Sequence, residues 1–538
     1  MTKKRVLLVS ESHHLASGFG TYAKEILTRL WETGKYELAE FAGYGNLEEC
    51  KGVPWKYYSN TPSTDQEKNI FNSNPNNSFG LWRFNHVVLD FKPDIVLTYR
   101  DPWMDMWINE SPLRKYFHWL WMPTVDSYPQ KRKWLDVFEQ CDGILAYSEY
   151  GIRSLKKQSD FITTLDCASP GIHPEVFKPV EDKKAHKKSF GIPEDSIVVG
   201  TVMRNQKRKL FIELMKAFRI FLDNAPKEVA DKTFLYLHTS YPEKIGWDIE
   251  SGIVENGLSS KVFCTYICKS CKHWHISKYT GAIATCPKCA NRTSFMPSVS
   301  NGLSTEDLVS VYNILDLYIQ YAICEGFGMP QVEAASCGVP IASTDYSAME
   351  DVVRHTDGYP VPVKVFFREL ETWAERAYPD NNALAKIIEE FALLSDESRI
   401  AKSDSARKGA IKRYKWDDSA KVWEKYIDEY TEQTRQHLWS SPPRYLQNVG
   451  MPNIESNCDF VKWCLSAALQ RPELVYRYAY TNYCKNLDNG CYMDGHLEPF
   501  SREKMLKIIN SKIDENNFFE SIRVGQRQPE QINYVNGN

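Results

Sequence analysis

Short apolar runs alternate with amphipathic segments along most of this chain. The first run, Arg5 to Val9, leads into a stretch where Tyr22, Ile26, Leu27 and Leu30 recur at helical spacing. Lys92 to Asp101 (KPDIVLTYRD), Phe117 to Met122 (FHWLWM) and Asp142 to Gly151 (DGILAYSEYG) each read as a strand. Ile152 to Lys157 reads as a short helix, and the polar, Asn-rich stretch from Glu48 to Asn85 as a long loop or cover element. The pattern then repeats with strand Ile197 to Met203, helix Leu210 to Phe218, and strands Phe234 to Thr239, Asp316 to Ala322 and Val339 to Ser343. Ser304-x-x-Asp307 caps a further predicted helix, and SAMEDVV after Asp345 reads as another. Helices are also predicted at Asn382 to Leu393, Ser405 to Lys415 and Trp416 to Tyr430, and in the tail at Phe460 to Leu469 and Arg502 to Ile509. Strands alternating with helices predict an α/β fold on parallel sheets, and the first half alone makes a complete Rossmann-like unit.

Composition narrows this picture only a little. A chain of 538 residues is too long for one core, so two domains with additions are expected. A net charge of −3 argues against a protein that coats nucleic acid through general basicity. MTKKRVLLVSES has too short an apolar run for a signal peptide, and no run approaches the 18 apolar residues of a membrane span. The 14 cysteines are scattered except for one cluster, which favours reduced thiols and a cytoplasmic protein.

The chemistry concentrates in the stretch ILDLYIQYAICEGFGMPQVEAASCGVPIASTD, Ile314 to Asp345. Glu325-Gly-Phe-Gly328 breaks a buried strand, and two glycines in four residues allow a ligand to approach the backbone closely. Pro330 suits the first turn of a helix and Gly338 its end, so the turn leads to a helix N-terminus that favours an anion such as phosphate. Glu325 and Glu333 bracket the turn. One carboxylate can bind sugar hydroxyls near the reacting carbon while the other accepts both hydroxyls of a ribose. Gly18-Phe19-Gly20 is a second glycine turn between strand and helix.

Cys268-x2-Cys271 and Cys286-x2-Cys289 have the two-knuckle spacing of a tetrathiolate site, which predicts a structural zinc ribbon over residues 263–295. Cys264 is an extra thiol, either a buried bystander or a substitute ligand. The ribbon is locally basic, with Tyr266, Trp274 and Tyr279 interleaved among its lysines, a pattern that can touch nucleic acid. A tetrathiolate zinc offsets part of that charge, which favours a structural or protein-contacting knob.

The string EGFGMPQVEAASCGVP closely resembles the donor-site signature of family-4 retaining glycosyltransferases. The resemblance covers roughly residues 3 to 430 and stops in the tail. It implies the GT-B fold, two Rossmann-like domains facing across a cleft, here with a small zinc-ribbon insertion and a mostly helical C-terminal extension. The expected divisions are 1–179 on the acceptor side, 180–415 binding the donor, a crossing helix at 416–436 and the extension at 437–538, with Ser169 to Pro179 as the hinge entry.

The resemblance also assigns residues. Arg204 and Lys209 would hold the diphosphate of a UDP- or GDP-sugar, so that no catalytic metal is needed, while Lys207 and Arg208 form a solvated face. Glu325 would position the sugar, Phe327, Gly328 and Met329 would line the donor phosphate and sugar, and Glu333 would hold the ribose. The Gly18–Gly20 loop would face donor phosphate and acceptor, and the end of the strand at Phe234 to Thr239 would approach the nucleotide. Where such enzymes often carry a His-Asp pair, this chain has Val125-Asp126, which leaves Asp126 to contact sugar or acceptor or simply to end its strand. His13 and His14 are further candidates for the cleft. The implied reaction is retaining sugar transfer to a hydroxyl of a glycan, a small molecule or a nucleic acid, with self-association left open. A sugar phosphorylase, a transferase guided to nucleic acid by the ribbon, and a non-catalytic zinc-bearing nucleic-acid-binding protein are the alternatives.

Overall fold

The computed structural model describes residues 3–48, 52–111, 113–298, 301–431, 435, 439, 448–468, 484, 487–488, 501–523 and 534–535. Two sheets carry the fold. The first contains β1 (Lys4–Glu11), β2 (Tyr36–Gly43), β3 (Lys56–Ser59), β4 (Ile95–Thr98), β5 (His118–Trp121), β6 (Gly143–Ala146) and β7 (Thr164–Cys167). The second contains β8 (Ile197–Val202), β9 (Thr233–His238), β10 (Val262–Cys268), β11 (Trp274–Lys278), β12 (Ile283–Ala284), β13 (Ser294–Phe295), β14 (Leu317–Gln320), β15 (Ile341–Thr344) and β16 (Tyr359–Val361). A separate hairpin pairs β17 (Val363–Arg368) with β18 (Glu375–Pro379), and β19 (Tyr534–Val535) adds antiparallel to the edge of β3.

The first sheet runs β3-β2-β1-β4-β5-β6-β7 and the second β10-β9-β8-β14-β15-β16, every neighbouring pair within these runs being parallel. Both are doubly wound, so each reverses direction at one place, between β1 and β4 and between β8 and β14. Ligands of such sheets bind in the crevice beyond the strand C-termini at that reversal. The central strands are apolar throughout rather than alternating, because helices cover both faces; β4 and β8 are buried along their whole length.

The two halves are tied by helix Trp416–Thr431, which lies on helix Gly18–Glu32. Trp423 Nε1 donates to Tyr22 Oη at 2.8 Å, and Tyr430 Oη donates to the Asp142 carbonyl at 2.6 Å.

One expectation needs correction. The stretch from Glu48 to Asn85 is largely ordered as β3, helix Asp65–Asn72, the 3-10 turn Pro75–Phe79 and the start of helix Leu81–Phe91. Its polar residues are caps rather than loop filler, since Thr64 accepts from Glu67 N and Asn74 from Asn76 N. The ribbon grows out of the main sheet. The first half of β10 pairs with β9 in the main sheet, and its second half pairs with β11 and β13.

In the tail, Phe460, Val461, Leu465, Met505, Leu506 and Ile509 form a small separate core between helices Asn457–Trp463 and Arg502–Arg523. Most of 437–538, including Cys491, lies outside the described residues.

Candidate functional site

The loops leaving β8 and β14 are stitched together. Lys209 and Ala322 form an antiparallel bridge, Leu210 N donates to the Tyr321 carbonyl at 3.0 Å, and Ile323 N to the Arg208 carbonyl at 3.0 Å. This pairing brings Lys209 Nζ into direct contact with Glu325 Oε1, both side chains being buried. Glu325 is held from two further sides. Gln320 Nε2 donates to its Oε1 at 2.8 Å, and its own N donates to Ser347 Oγ at 3.0 Å. Ser347 adopts a φ of +55°, a strained conformation for a side chain-bearing residue and one that persists only where its surroundings impose it.

Burial and the neighbouring Arg208 push the Lys209 ammonium well below the usual lysine range. The Glu325 carboxylate in contact with it acts in the opposite sense.

Beside this pair lies a basic hollow of about 430 Å³, lined by Arg204, Lys207, Arg208, Lys244 and the carboxylates Glu243 and Glu369. Arg204 is half exposed and donates to Glu243 from Nε at 3.2 Å and from Nη2 at 3.3 Å. Arg208 Nε stands 3.9 Å from Glu325 Oε2 and lines the hollow, with its side chain 42% exposed. The end of β9 adjoins the same loop, His238 O accepting from Met203 N at 3.1 Å. Burial lowers the His238 imidazole to about 4, so the ring is neutral at pH 7.

Gly328 begins helix Met329–Ser336 at a φ of +86°, which a side chain would resist. The Phe327 ring is buried edge-on against Tyr414 at 5.4 Å, leaving its backbone as the part available to a ligand. Glu333 faces inward, where its Oε2 accepts from Tyr312 Oη at 2.6 Å, and burial raises its carboxyl above the usual range.

The first domain meets this turn directly. A Cβ on Gly326 would fall 2.5 Å from Thr124 Cγ2, and one on Gly18 would lie 4.0 Å from Met329 Sδ. Gly20 N donates to Ser17 Oγ at the start of helix Gly18–Glu32. Asp126 accepts from Arg376 Nη1 at 2.9 Å and from the Cys324 thiol at 3.3 Å, an ion pair that spans the cleft. Asp101, beyond the end of β4, was not singled out in the sequence. Burial pushes its carboxyl up to about 6, with the Asp126 charge adding to the rise and Arg208 opposing it. Its sequence signal is a carboxylate just past a buried strand, which acquires meaning only once β4 is known to flank the reversal. His13 is buried against Glu40, with Nδ1 2.6 Å from Oε2, and is thereby committed within its own domain.

At the ribbon, the Sγ atoms of Cys268, Cys271, Cys286 and Cys289 lie within 4.8 Å of one another. The Cys268–Cys289 and Cys271–Cys286 separations are both 3.6 Å. Tetrahedral thiolates at the zinc–sulfur distance would stand about 3.8 Å apart, so the donor set fits that ion. The two knuckles are alike. Lys272 N donates to the Cys268 carbonyl and Ala290 N to the Cys286 carbonyl, each at 2.9 Å, with φ of +60° at both Lys272 and Ala290. Cys264 is packed in the core of the main sheet. The ribbon's aromatics are used internally. Tyr266 is buried with its hydroxyl on the Gly281 carbonyl, and Trp274 stacks on Phe190 at 5.0 Å. Among the described residues, no helix is long and apolar enough to cross a membrane.

Residues 298–390, which include β14, β15 and the Glu325 turn, match the family model described as glycosyl transferases group 1. D-inositol 3-phosphate glycosyltransferase of Corynebacterium jeikeium (strain K411) is 23% identical over 336 residues, covering 61% of this chain and 68% of that protein. Sucrose-phosphate synthase from Thermosynechococcus elongatus superposes with a TM-score of 0.56 at 18% identity, over 80% of this chain and 100% of its own. Anabaena Alr3699/HepE, solved in complex with UDP and glucose, superposes with a TM-score of 0.54 at 12% identity, over 79% of this chain and 100% of its own. The chain therefore has the GT-B fold, and the segment that builds the Glu325 wall of its cleft is similar to the glycosyl transferases of group 1.

Proposed function

We propose that this protein is a retaining glycosyltransferase that moves a sugar from a nucleoside-diphosphate donor to an acceptor hydroxyl. The observation that carries this reading is the buried Lys209–Glu325 contact at the reversal of the second sheet, beside a hollow lined by Arg204 and Arg208. In this reading the diphosphate enters the hollow and takes Lys209, Arg204 and Arg208 as its partners, drawing Arg204 from Glu243. Glu325 is then released to accept hydroxyls of the sugar, Phe327 and Gly328 offer their backbone amides, and Glu333 accepts from the ribose.

The bond from the anomeric carbon to the diphosphate oxygen breaks, and the acceptor oxygen bonds to that carbon on the same face. The acceptor proton passes to the departing diphosphate, whose charge is stabilised by donors already in place. The first domain presents the acceptor, with Asp101 and Asp126 facing the reacting centre. The four cysteines would hold zinc as a structural ion, away from the reaction.

A screen of UDP- and GDP-sugars tests this reading. A donor at 100 times its dissociation constant should add about 2.7 kcal/mol to stability, and slow hydrolysis of that same donor should be detectable. If no nucleotide raises the melting temperature, the assignment fails. Cleavage of a glycoside by inorganic phosphate, releasing a sugar 1-phosphate and the free hydroxyl compound with no nucleotide present, would reassign the cleft to phosphorolysis.

A further inference from the structure

Residues from three segments of the first domain, 74–85, 103–111 and 131–134, enclose a groove of about 650 Å³, within the size range of ligand sites. Its walls are indoles, Trp82, Trp103, Trp107 and Trp134, with the amides of Asn74 and Asn76 beside them. Trp103 comes two residues after Asp101, which places their Cα atoms within about 7 Å, and it is 48% exposed.

Two of these rings are braced by neighbours. Trp82 Nε1 donates to Asn60 Oδ1 at 2.7 Å, and the Arg83 guanidinium lies 4.2 Å from its ring centre. Phe79 meets Trp103 edge-on at 5.0 Å. The fully buried Arg100 joins the two walls, donating from Nη2 to the Phe79 carbonyl at 3.0 Å and from Nε to Asp105 Oδ1 at 2.9 Å.

Preformed indole faces interleaved with amides match a pyranose ring, which offers a C–H face for stacking and hydroxyls that both donate and accept. The charged lining residues are of both signs, Lys131 and Lys133 against Glu110, unlike the single-sign lining that a polyanion such as nucleic acid requires. A lipid chain would leave the amides and charges unmatched. We infer that this groove is an acceptor subsite binding pyranose units of an uncharged oligosaccharide beyond the unit that receives the sugar. The inference rests on the transferase reading of the cleft.

The test titrates the full chain with maltohexaose, cellohexaose, mannohexaose and chitohexaose, following tryptophan fluorescence. At least one should bind, Trp103→Ala should weaken it tenfold or more, and Trp103→Phe should restore part of the affinity. The melting shift given by UDP or GDP should be the same in all three proteins. An unsubstituted chain that binds none of the four, or binding that Trp103→Ala leaves unchanged, overturns the subsite. Hexasaccharide binding without any nucleotide shift would instead leave the groove standing and remove the donor reading.

Discussion

Lys209 and Glu325 touch at the C-terminal ends of two adjacent strands, each side chain nearly sealed from solvent by the loops that carry them. Removing one partner of a buried pair leaves a charge with no compensation, at about 3–5 kcal/mol. Lys209→Met should therefore destabilise by about that much in urea unfolding, and Lys209→Met with Glu325→Gln should recover most of it. Both variants should lose donor turnover by more than about 100-fold, the scale of losing a charge stabiliser at the reacting centre. A stable double variant with full turnover would show that the pair serves the fold alone.

Gly326 has no room for a side chain where the domains meet, since its Cβ would lie 2.5 Å from the Thr124 methyl carbon. Gly326→Ala should wedge the cleft and reduce transfer by up to about 100-fold, the scale expected when reacting groups are displaced by about 1 Å. The nucleotide melting shift should persist, because the proposed donor contacts all lie in the second domain. Thr124→Ser removes the obstructing methyl and should restore transfer in the double variant. If transfer stays low there, the wedge is not the cause.

Asp101 makes stability depend on pH with a definite sign. Burial raises its carboxyl from an ordinary 3.8 to about 6, so the folded chain binds the proton more tightly than the unfolded one. Stability from this group is present at low pH and is lost as pH rises from about 4 to about 6. Asp101→Asn cannot ionise, so it should match the native protein at pH 4 and exceed it at pH 7 by on the order of 2 kcal/mol. Urea unfolding at the two pH values measures the gap, and a gap that does not widen would place Asp101 in solvent.

The four thiols should bring one zinc per chain, measurable by elemental analysis of the purified protein. Their knuckles cap a strand of the main sheet, so stripping the metal, or Cys286→Ser, should lower the melting temperature by roughly 5 °C or more. Donor turnover below the transition should be largely retained, because β10 is separated from β8 by β9. A protein isolated without metal, melting identically with and without added zinc, contradicts the prediction.

Local order was legible wherever a signal is short-ranged. The buried strands, the capped helix after Ser304, the glycine turn at Glu325 and the paired cysteine knuckles all depend on neighbours a few residues away, and each can be read from spacing alone. The stretch from Glu48 to Asn85 is a helical cover element rather than a long loop, and its Thr64 and Asn74 caps look like loop composition until the helices they cap are seen.

What the sequence by itself determined is the α/β class and the residue types available at the donor turn, because periodicity and backbone freedom are properties of adjacent residues. Tertiary structure alone decided that Lys209 touches Glu325, that Arg208 approaches it and Arg204 turns to Glu243, that Arg376 meets Asp126, and that Asp101 lies at the reversal of its sheet. Those relationships follow from strand order and burial, which are set by packing between segments far apart in the chain and leave no mark in local spacing.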